Sequence, residues 1–128
     1  AETIKVGSIK PTRDLNYVTD TADGFIATAI TEQPIAGEVI NLGTGKEISI
    51  GDLIDLAKEI TKSTASIESE DKRFRPDKSE VYQLVAENKK AKQLLHWEPK
   101  VSLRNGLQKT ADWINGNSHE FDLDRYTV

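Results

Sequence analysis

The chain of 128 residues carries 17 basic and 21 acidic side chains, which gives it a net charge of −4. This acidic balance excludes a general nucleic-acid-binding or anionic-membrane-binding protein, since such proteins need a basic face. Hydrophobic residues make up 37% of the sequence, and no apolar run approaches the ~20 residues that cross a bilayer. The length predicts a single globular domain.

The sequence holds no cysteine, which excludes disulfides and thiolate metal sites and fits a reducing cytoplasm. Its two histidines, His96 and His119, have no partnering nucleophile nearby in the sequence, so we expect neither a metal site nor a catalytic triad. The first residues lack the basic and apolar segments that are typical of a signal peptide. We therefore expect a cytoplasmic protein without bound metal.

Apolar residues recur at strand and helix spacing along the chain, which predicts an α/β protein. In chain order we expect strands or extended runs over residues 4–9, 15–18, 39–42, 63–69 and 81–86, and helices over 21–31, from Ser49 or Gly51, from Asn88, and from Ser102 to Gly116. The first helix should be capped by Thr19 or Asp20 and should bury the stripe Ala22, Phe25, Ile26, Ala29 and Ile30. We assign residues 1–116 to one domain and 117–128 to a polar tail.

Residues 11–20, Pro-Thr-Arg-Asp-Leu-Asn-Tyr-Val-Thr-Asp, concentrate special-purpose side chains between two regular elements, which is typical of a site. The alternative interpretation is a solvated turn followed by a helix cap. The later Gly43-Thr44-Gly45 run favours a structural turn over a phosphate loop, since it lacks a third glycine and a following Gly-Lys-Ser/Thr.

Two of the five arginines, Arg13 and Arg75, lie close to a proline in polar loops. A guanidinium suits phosphate oxygens because it offers paired N–H donors and stays charged, so two of them converging would clamp a diphosphate. Alternatively, each arginine pairs with a neighbouring acid, Asp14 or Asp77, in a surface ion pair of little energetic consequence. The residues alone leave both interpretations open.

Several segments follow one another in a characteristic order. These are residues 11–20, the Gly-Glu-Val-Ile-Asn-Leu-Gly-Thr-Gly run at 37–45, the Arg-Pro-Asp-Lys-Ser-Glu-Val run at 75–81, and the runs at 88–99 and 102–107. Together they resemble the C-terminal, substrate-binding portion of extended short-chain dehydrogenases/reductases, the Rossmann-type, NAD-dependent nucleotide-sugar epimerases and dehydratases. The run at 75–81 is most similar to 4,6-dehydratases of N-acetylglucosamine nucleotides that feed legionaminic-acid-type pathways.

The resemblance implies roles for individual residues. Arg13 and Arg75 would contact the diphosphate of a nucleotide-diphosphate-sugar, and Glu80 would contact its ribose. Asn41 and the glycines of the Gly-Thr-Gly run would be structural. The family's NAD-binding glycine-rich turn and its Tyr-x-x-x-Lys catalytic pair are not in this sequence.

The resemblance therefore implies the substrate-binding portion of a larger 4,6-dehydratase, inactive alone and without catalytic or cofactor-binding residues of its own. NAD would be bound by the parent enzyme, whose N-terminal Rossmann half would be the partner of this chain. A 4-epimerase and a stand-alone, non-catalytic binding or assembly module are the alternatives. Because separated strands expose sheet edges, we also expect the chain to form homo-oligomers.

Overall fold

The computed structural model describes residues 3–74, 76 and 79–120. Its regular elements, in chain order, are β1 (Thr3–Val6), β2 (Thr12–Arg13), α1 (Val18–Ile30), β3 (Ile48–Ser49), α2 (Ile50–Thr61), β4 (Ser66–Ser69), β5 (Gln83–Leu84), α3 (Lys89–Leu95) and α4 (Leu103–Gly116). The predicted α/β class, with short strands and about four helices, is confirmed. None of the helices in the described ranges has the length and apolar character needed to span a membrane.

The strands form two small sheets. β1 pairs in parallel with β4, in a register that places Thr3 beside Ser66 and Val6 beside Ser69. The second sheet has the order β3-β2-β5, with β2 antiparallel to β3 and parallel to β5. The two residues of β2 are therefore fixed by strand neighbours on both sides.

Two helices begin at the caps that the sequence predicts. The Ser49 hydroxyl accepts a hydrogen bond from Asp52 N at 3.0 Å and donates one to the Asp52 carboxylate at 2.6 Å. The Ser49 side chain thus supplies an acceptor for a backbone N–H in the first turn of α2. The hydroxyl of Ser102 accepts from Asn105 N at 3.3 Å at the start of α4. At the start of α3, by contrast, the Asn88 side chain makes no cap bond and donates to Gly43 O instead.

A small apolar core lies where α1 meets α3. Ala91, Leu95 and Trp97 are buried, and parts of Ala27, Ile35, Ile40, Leu42 and Leu94 pack against them. Trp97 follows His96, which ends α3 in a left-handed backbone conformation. Trp97 therefore closes the end of α3 against the core.

The predicted buried face of α1 is wrong for this chain. Phe25 is 69% and Ile30 is 73% exposed, while the residues of α1 that are buried are Asp20 and Gly24. The helix approaches its neighbours through small residues, with the Leu42 side chain against Gly24. The spacing of apolar residues shows which side of a helix is apolar, and burial depends on what packs there.

The predicted buried strand over residues 39–42 is also wrong here. Within the described part of the chain these residues belong to no strand, make no recorded backbone hydrogen bond, and leave Val39 78% exposed. A strand requires a neighbour to pair its N–H and C=O groups. The prediction of an extended run at 15–18 is wrong as well. The strand in this region is Thr12–Arg13, and α1 already begins at Val18.

The exposed apolar side of α1 and residues 39–42 together form a surface that we call the docking face. We expect the chain to self-associate through it. Sedimentation velocity at rising protein concentration should show an increasing average mass, because burial of apolar area drives association. Phe25→Glu should lower that mass, whereas Ile9→Glu, at an exposed apolar residue that is not part of the docking face, should leave it unchanged. A single monomeric species at high concentration would contradict the prediction.

Candidate functional site

Arg13 lies on the central strand of the β3-β2-β5 sheet. Thr12 N donates to Tyr82 O at 2.8 Å, and Asp14 N donates to Leu84 O at 2.9 Å, so backbone bonds on either side of Arg13 hold its main chain against β5. The antiparallel partner β3 holds the opposite edge. The position of the arginine is therefore set by the sheet and not by a loop.

The guanidinium of Arg13 faces Glu80. Its Nη1 donates to Thr12 O at 2.7 Å, and its Nη2 lies 3.5 Å from Glu80 Oε1. The two side chains are only 22% and 12% exposed. The structure thus brings together two of the three predicted site residues, and the third, Arg75, lies outside the described residues.

Asp14 does not pair with Arg13, so the alternative of a surface ion pair between these two neighbours is wrong in the described structure. Its carboxylate accepts hydrogen bonds from Thr44 N at 3.0 Å, Gly45 N at 2.9 Å and Ala86 N at 3.2 Å, and from the Thr44 hydroxyl. Asp14 therefore ties the end of β2 to the Gly-Thr-Gly turn and to the segment after β5.

The Gly43-Thr44-Gly45 run is a structural turn, as predicted. Gly45 has a φ of +71°, a conformation that favours glycine, and a Cβ on Gly43 would overlap the side chain of Ala86. The N–H groups of Thr44 and Gly45 point at the chain's own carboxylate at Asp14. This turn therefore does not fit the diphosphate of a dinucleotide cofactor.

The environment of Asp14 lowers its pKa below the ordinary value. Burial alone raises the pKa of this carboxyl, but the hydrogen bonds from the Thr44 side chain and from the N–H groups of Thr44, Gly45 and Ala86 together lower it further than burial raises it. Because these donors stabilise the ionised form, the turn depends on the negative charge of Asp14.

Because of this lowered pKa, we expect the difference in unfolding free energy between the wild type and Asp14→Asn to depend on pH. The folded pKa of Asp14 lies below its unfolded value of about 3.9, so the charge stabilises the fold above that pH and the benefit is lost as pH falls through the folded pKa. Urea unfolding of the wild type and Asp14→Asn should show a constant stability gap above about pH 5, narrowing below about pH 4. A gap of the same size at pH 7 and at pH 2.5 would contradict this.

Glu47 connects the strands of the β3-β2-β5 sheet through side-chain hydrogen bonds. Its carboxylate accepts from the Thr12 hydroxyl at 2.6 Å and from Gln83 Nε2 at 2.8 Å, so it links the segment before β3 to both β2 and β5. The hydrogen bond from Thr12, followed by that from Gln83, lowers the pKa of this carboxyl. The strand that carries Arg13 is therefore held by side chains as well as by its backbone.

Asp20 has a structural role that the sequence prediction missed. The residue is 2% exposed, its carboxylate accepts from Val101 N at 2.9 Å, and its backbone oxygen accepts from the Trp97 indole N–H at 2.9 Å. Because α1 begins at Val18, Asp20 lies inside the first turn, and the prediction that it or Thr19 caps the helix is wrong. Asp20 instead fastens α1 to the segment between α3 and α4.

A cleft of about 590 Å³ opens beside the Asp14 turn, between α1, residues 40–43 and the end of β5. Asn16 and Phe25 line it, and the buried Oδ1 of Asn16 has no hydrogen-bond partner within the described residues. Across the described ranges, no group of three or more His, Cys, Asp or Glu side chains could hold a metal ion. The group with the chemistry for anion binding is the guanidinium of Arg13, outside the lining of this cleft.

A family model described as GDP-mannose 4,6 dehydratase matches residues 1–110 of the chain. The chain belongs to this family of nucleotide-sugar epimerases and dehydratases. Its extended short-chain dehydrogenase/reductase relationship, which the motif order indicated, is thereby confirmed.

Curated relatives include both types of enzyme. The chain is 38% identical over 106 residues to UDP-glucuronate 4-epimerase of Thermodesulfobacterium geofontis, which covers 82% of this chain and 31% of that protein. It is 30% identical over 123 residues to dTDP-D-glucose 4,6-dehydratase of Homo sapiens, covering 90% of this chain and 33% of that protein. The chain therefore spans about a third of the length of these relatives.

A solved structure of UDP-glucuronic acid 4-epimerase from Bacillus cereus, in complex with UDP-glucuronic acid and NAD, has the same fold over the shared region. The TM-score is 0.81 at 33% identity, and the match covers 90% of this chain and 36% of that one. These comparisons confirm the family and the fold. The relatives that they match are epimerases and dehydratases alike.

Proposed function

We propose that this chain is the nucleotide-diphosphate-sugar-binding portion of an NAD-dependent nucleotide-sugar 4,6-dehydratase that acts in the cytoplasm. The observation that carries the proposal is the guanidinium of Arg13, held by a strand with neighbours on both sides and facing Glu80 at 3.5 Å. An enclosed, permanently charged donor on a rigid strand is suited to an anionic ligand.

The ligand assignment combines the chemistry of the two arginines with the roles that the family resemblance implies for Arg13, Arg75 and Glu80. Arg13 would donate to oxygens of the diphosphate, and Arg75 would supply the second guanidinium of the clamp. Glu80 would accept hydrogen bonds from the ribose hydroxyls. Binding the nucleotide in this way would hold the sugar in place for chemistry that other residues perform.

NAD and the catalytic residues would come from the N-terminal Rossmann half of a longer protein. In this chain the N–H groups of the Gly-Thr-Gly turn are directed at Asp14, so this turn does not offer them to NAD. The epimerase from Bacillus cereus binds NAD, and this chain matches 36% of it, which supports a division of labour between the two halves.

A 4-epimerase is the second candidate, because a UDP-glucuronate 4-epimerase is 38% identical to this chain. Both activities would use the same diphosphate and ribose contacts. Product analysis separates the two: a dehydratase yields a 4-keto-6-deoxy sugar, whereas an epimerase yields the sugar inverted at C4. A parent gene without a glycine-rich strand-turn-helix and a Tyr-x-x-x-Lys pair would exclude both and favour a non-catalytic module.

Arg13→Ala in the longer protein should raise KM for the nucleotide-sugar by about tenfold to a hundredfold, since charge-assisted hydrogen bonds to the diphosphate are lost. Arg75→Ala should act in the same direction. Arg104→Ala is the matched control, because Arg104 pairs with Glu59 on α2, and it should leave KM unchanged. Unchanged affinity in both Arg13→Ala and Arg75→Ala would refute the clamp.

A further inference from the structure

The ion pair between Arg13 and Glu80 suggests how the site selects its ligand. We propose that Glu80 is an internal counter-ion, which a nucleoside diphosphate must displace from Arg13, and that this exchange discriminates against phosphate anions without a ribose. The inference rests on the proposed function of Arg13 as a diphosphate ligand. It adds a mechanism of selection to that function.

The Arg13–Glu80 ion pair is largely shielded from solvent, but its two charged groups are not in close hydrogen-bonding contact. Arg13 Nη2 and Glu80 Oε1 are 3.5 Å apart, whereas Arg104 Nη2 contacts both carboxylate oxygens of Glu59 at 2.9 and 3.0 Å. A charge-assisted hydrogen bond is typically about 2.7–2.9 Å long. Glu80 therefore neutralises Arg13 without engaging it in a two-bond fork, although this pair is the less exposed of the two.

Arg13 retains donors for a ligand. A guanidinium has five N–H donors, and the described part of the chain shows one hydrogen bond from Arg13, to Thr12 O at 2.7 Å. An incoming diphosphate can therefore bind to Arg13 without breaking a hydrogen bond to the protein. What it must overcome is the neighbouring negative charge of Glu80.

The two partners differ in how firmly they are held. Arg13 lies within β2 and has strand neighbours on both sides. Glu80 lies before β5 and outside the strands of the described residues, next to Ser79, whose N–H donates to Pro76 O at 2.8 Å. When a diphosphate arrives, the Glu80 side chain is the partner that turns away.

A displaced, enclosed carboxylate requires new hydrogen-bond donors, since leaving it unpaired is unfavourable. The 2′- and 3′-hydroxyls of a ribose can donate two hydrogen bonds to this carboxylate, and they belong to the same ligand that displaced it. Inorganic pyrophosphate brings only further negative charge next to Glu80. The pair therefore acts against bare phosphates while it permits nucleoside diphosphates, which is specificity by repulsion of the wrong ligand.

The test compares binding of inorganic pyrophosphate and of UDP to the 128-residue chain by calorimetry. Glu80→Gln should raise the affinity for pyrophosphate about fivefold to tenfold, because the like charge is removed. Its affinity for UDP should rise less or fall, so the preference for UDP over pyrophosphate should shrink. Glu59→Gln removes the same charge beside Arg104 and should change neither affinity.

The possible results separate this inference from the proposed function. If Glu80→Gln weakens pyrophosphate and UDP equally, Glu80 merely holds Arg13 in position, and the inference is overturned. An equal effect of Glu59→Gln would assign the change to net charge and would overturn it too. If UDP does not bind, or binds equally well to Arg13→Ala, the proposed function itself is wrong for this chain.

Discussion

Asp14→Ala should destabilise the fold by about 2–4 kcal/mol, as measured by urea unfolding at neutral pH. The alanine removes the acceptor of three backbone N–H groups and of the Thr44 hydroxyl at once. These bonds hold the Gly-Thr-Gly turn and the segment after β5 to the end of β2. No other single carboxylate in the described structure joins these three segments.

Asp55→Ala is the matched control for this variant, because Asp55 is an exposed acid on α2. It should change the free energy of unfolding by less than about 0.5 kcal/mol. A loss of less than about 1 kcal/mol in the unfolding free energy of Asp14→Ala would contradict this prediction. It would mean that water replaces the carboxylate as acceptor and that the Gly-Thr-Gly turn is stable without Asp14.

The second large effect is expected at Asp20. Asp20→Ala should cost about 2–4 kcal/mol in the free energy of unfolding, since it leaves Val101 N without its acceptor next to the buried Trp97. Asp20→Asn should keep most of the stability, because an amide oxygen can accept the same bond. The measurement is the urea midpoint of the two variants against the wild type.

Asp23 provides the comparison on the same helix. It is exposed and lies 3.7 Å from Lys100, a surface pair of little energetic consequence. Asp23→Ala should therefore leave the midpoint nearly unchanged. Equal losses in Asp20→Ala and Asp20→Asn would show that the charge of Asp20, and not its hydrogen bond to Val101, stabilises the link to α1.

The sequence predicted those features that depend on nearby residues. Ser49 and Ser102 begin helices as expected, because a cap needs only the first turn that follows it. The strands β1, β4 and β5 lie within or overlap the predicted ranges, because their alternating or continuous apolar residues are also a local signal. The start of α1 was missed, since Tyr17 makes no side-chain cap bond and Asp20 is directed at a segment far along the chain.

Features that depend on distant partners could not be predicted from spacing. The apolar stripe of α1 and the run at 39–42 carry the composition of buried elements, yet no described part of this chain covers Phe25 or Val39. At the site, local sequence offered Asp14 as the partner of Arg13, while the sheet places Glu80 there. Only the resemblance to a family had brought Arg13 and Glu80 into one site.

The most direct test of nucleotide-sugar binding at Arg13 is a titration of the isotope-labelled chain with UDP-glucose, in which NMR follows the backbone amide signals and the Nε–H signals of individual arginines. We expect the signals of Arg13 and of residues 80–86 to shift and those of Arg104 to stay unchanged, and we expect Arg13→Ala to remove the shifts in residues 80–86. Shifts that persist in Arg13→Ala, or that cluster around Arg104 and Glu59, would contradict nucleotide-sugar binding at Arg13.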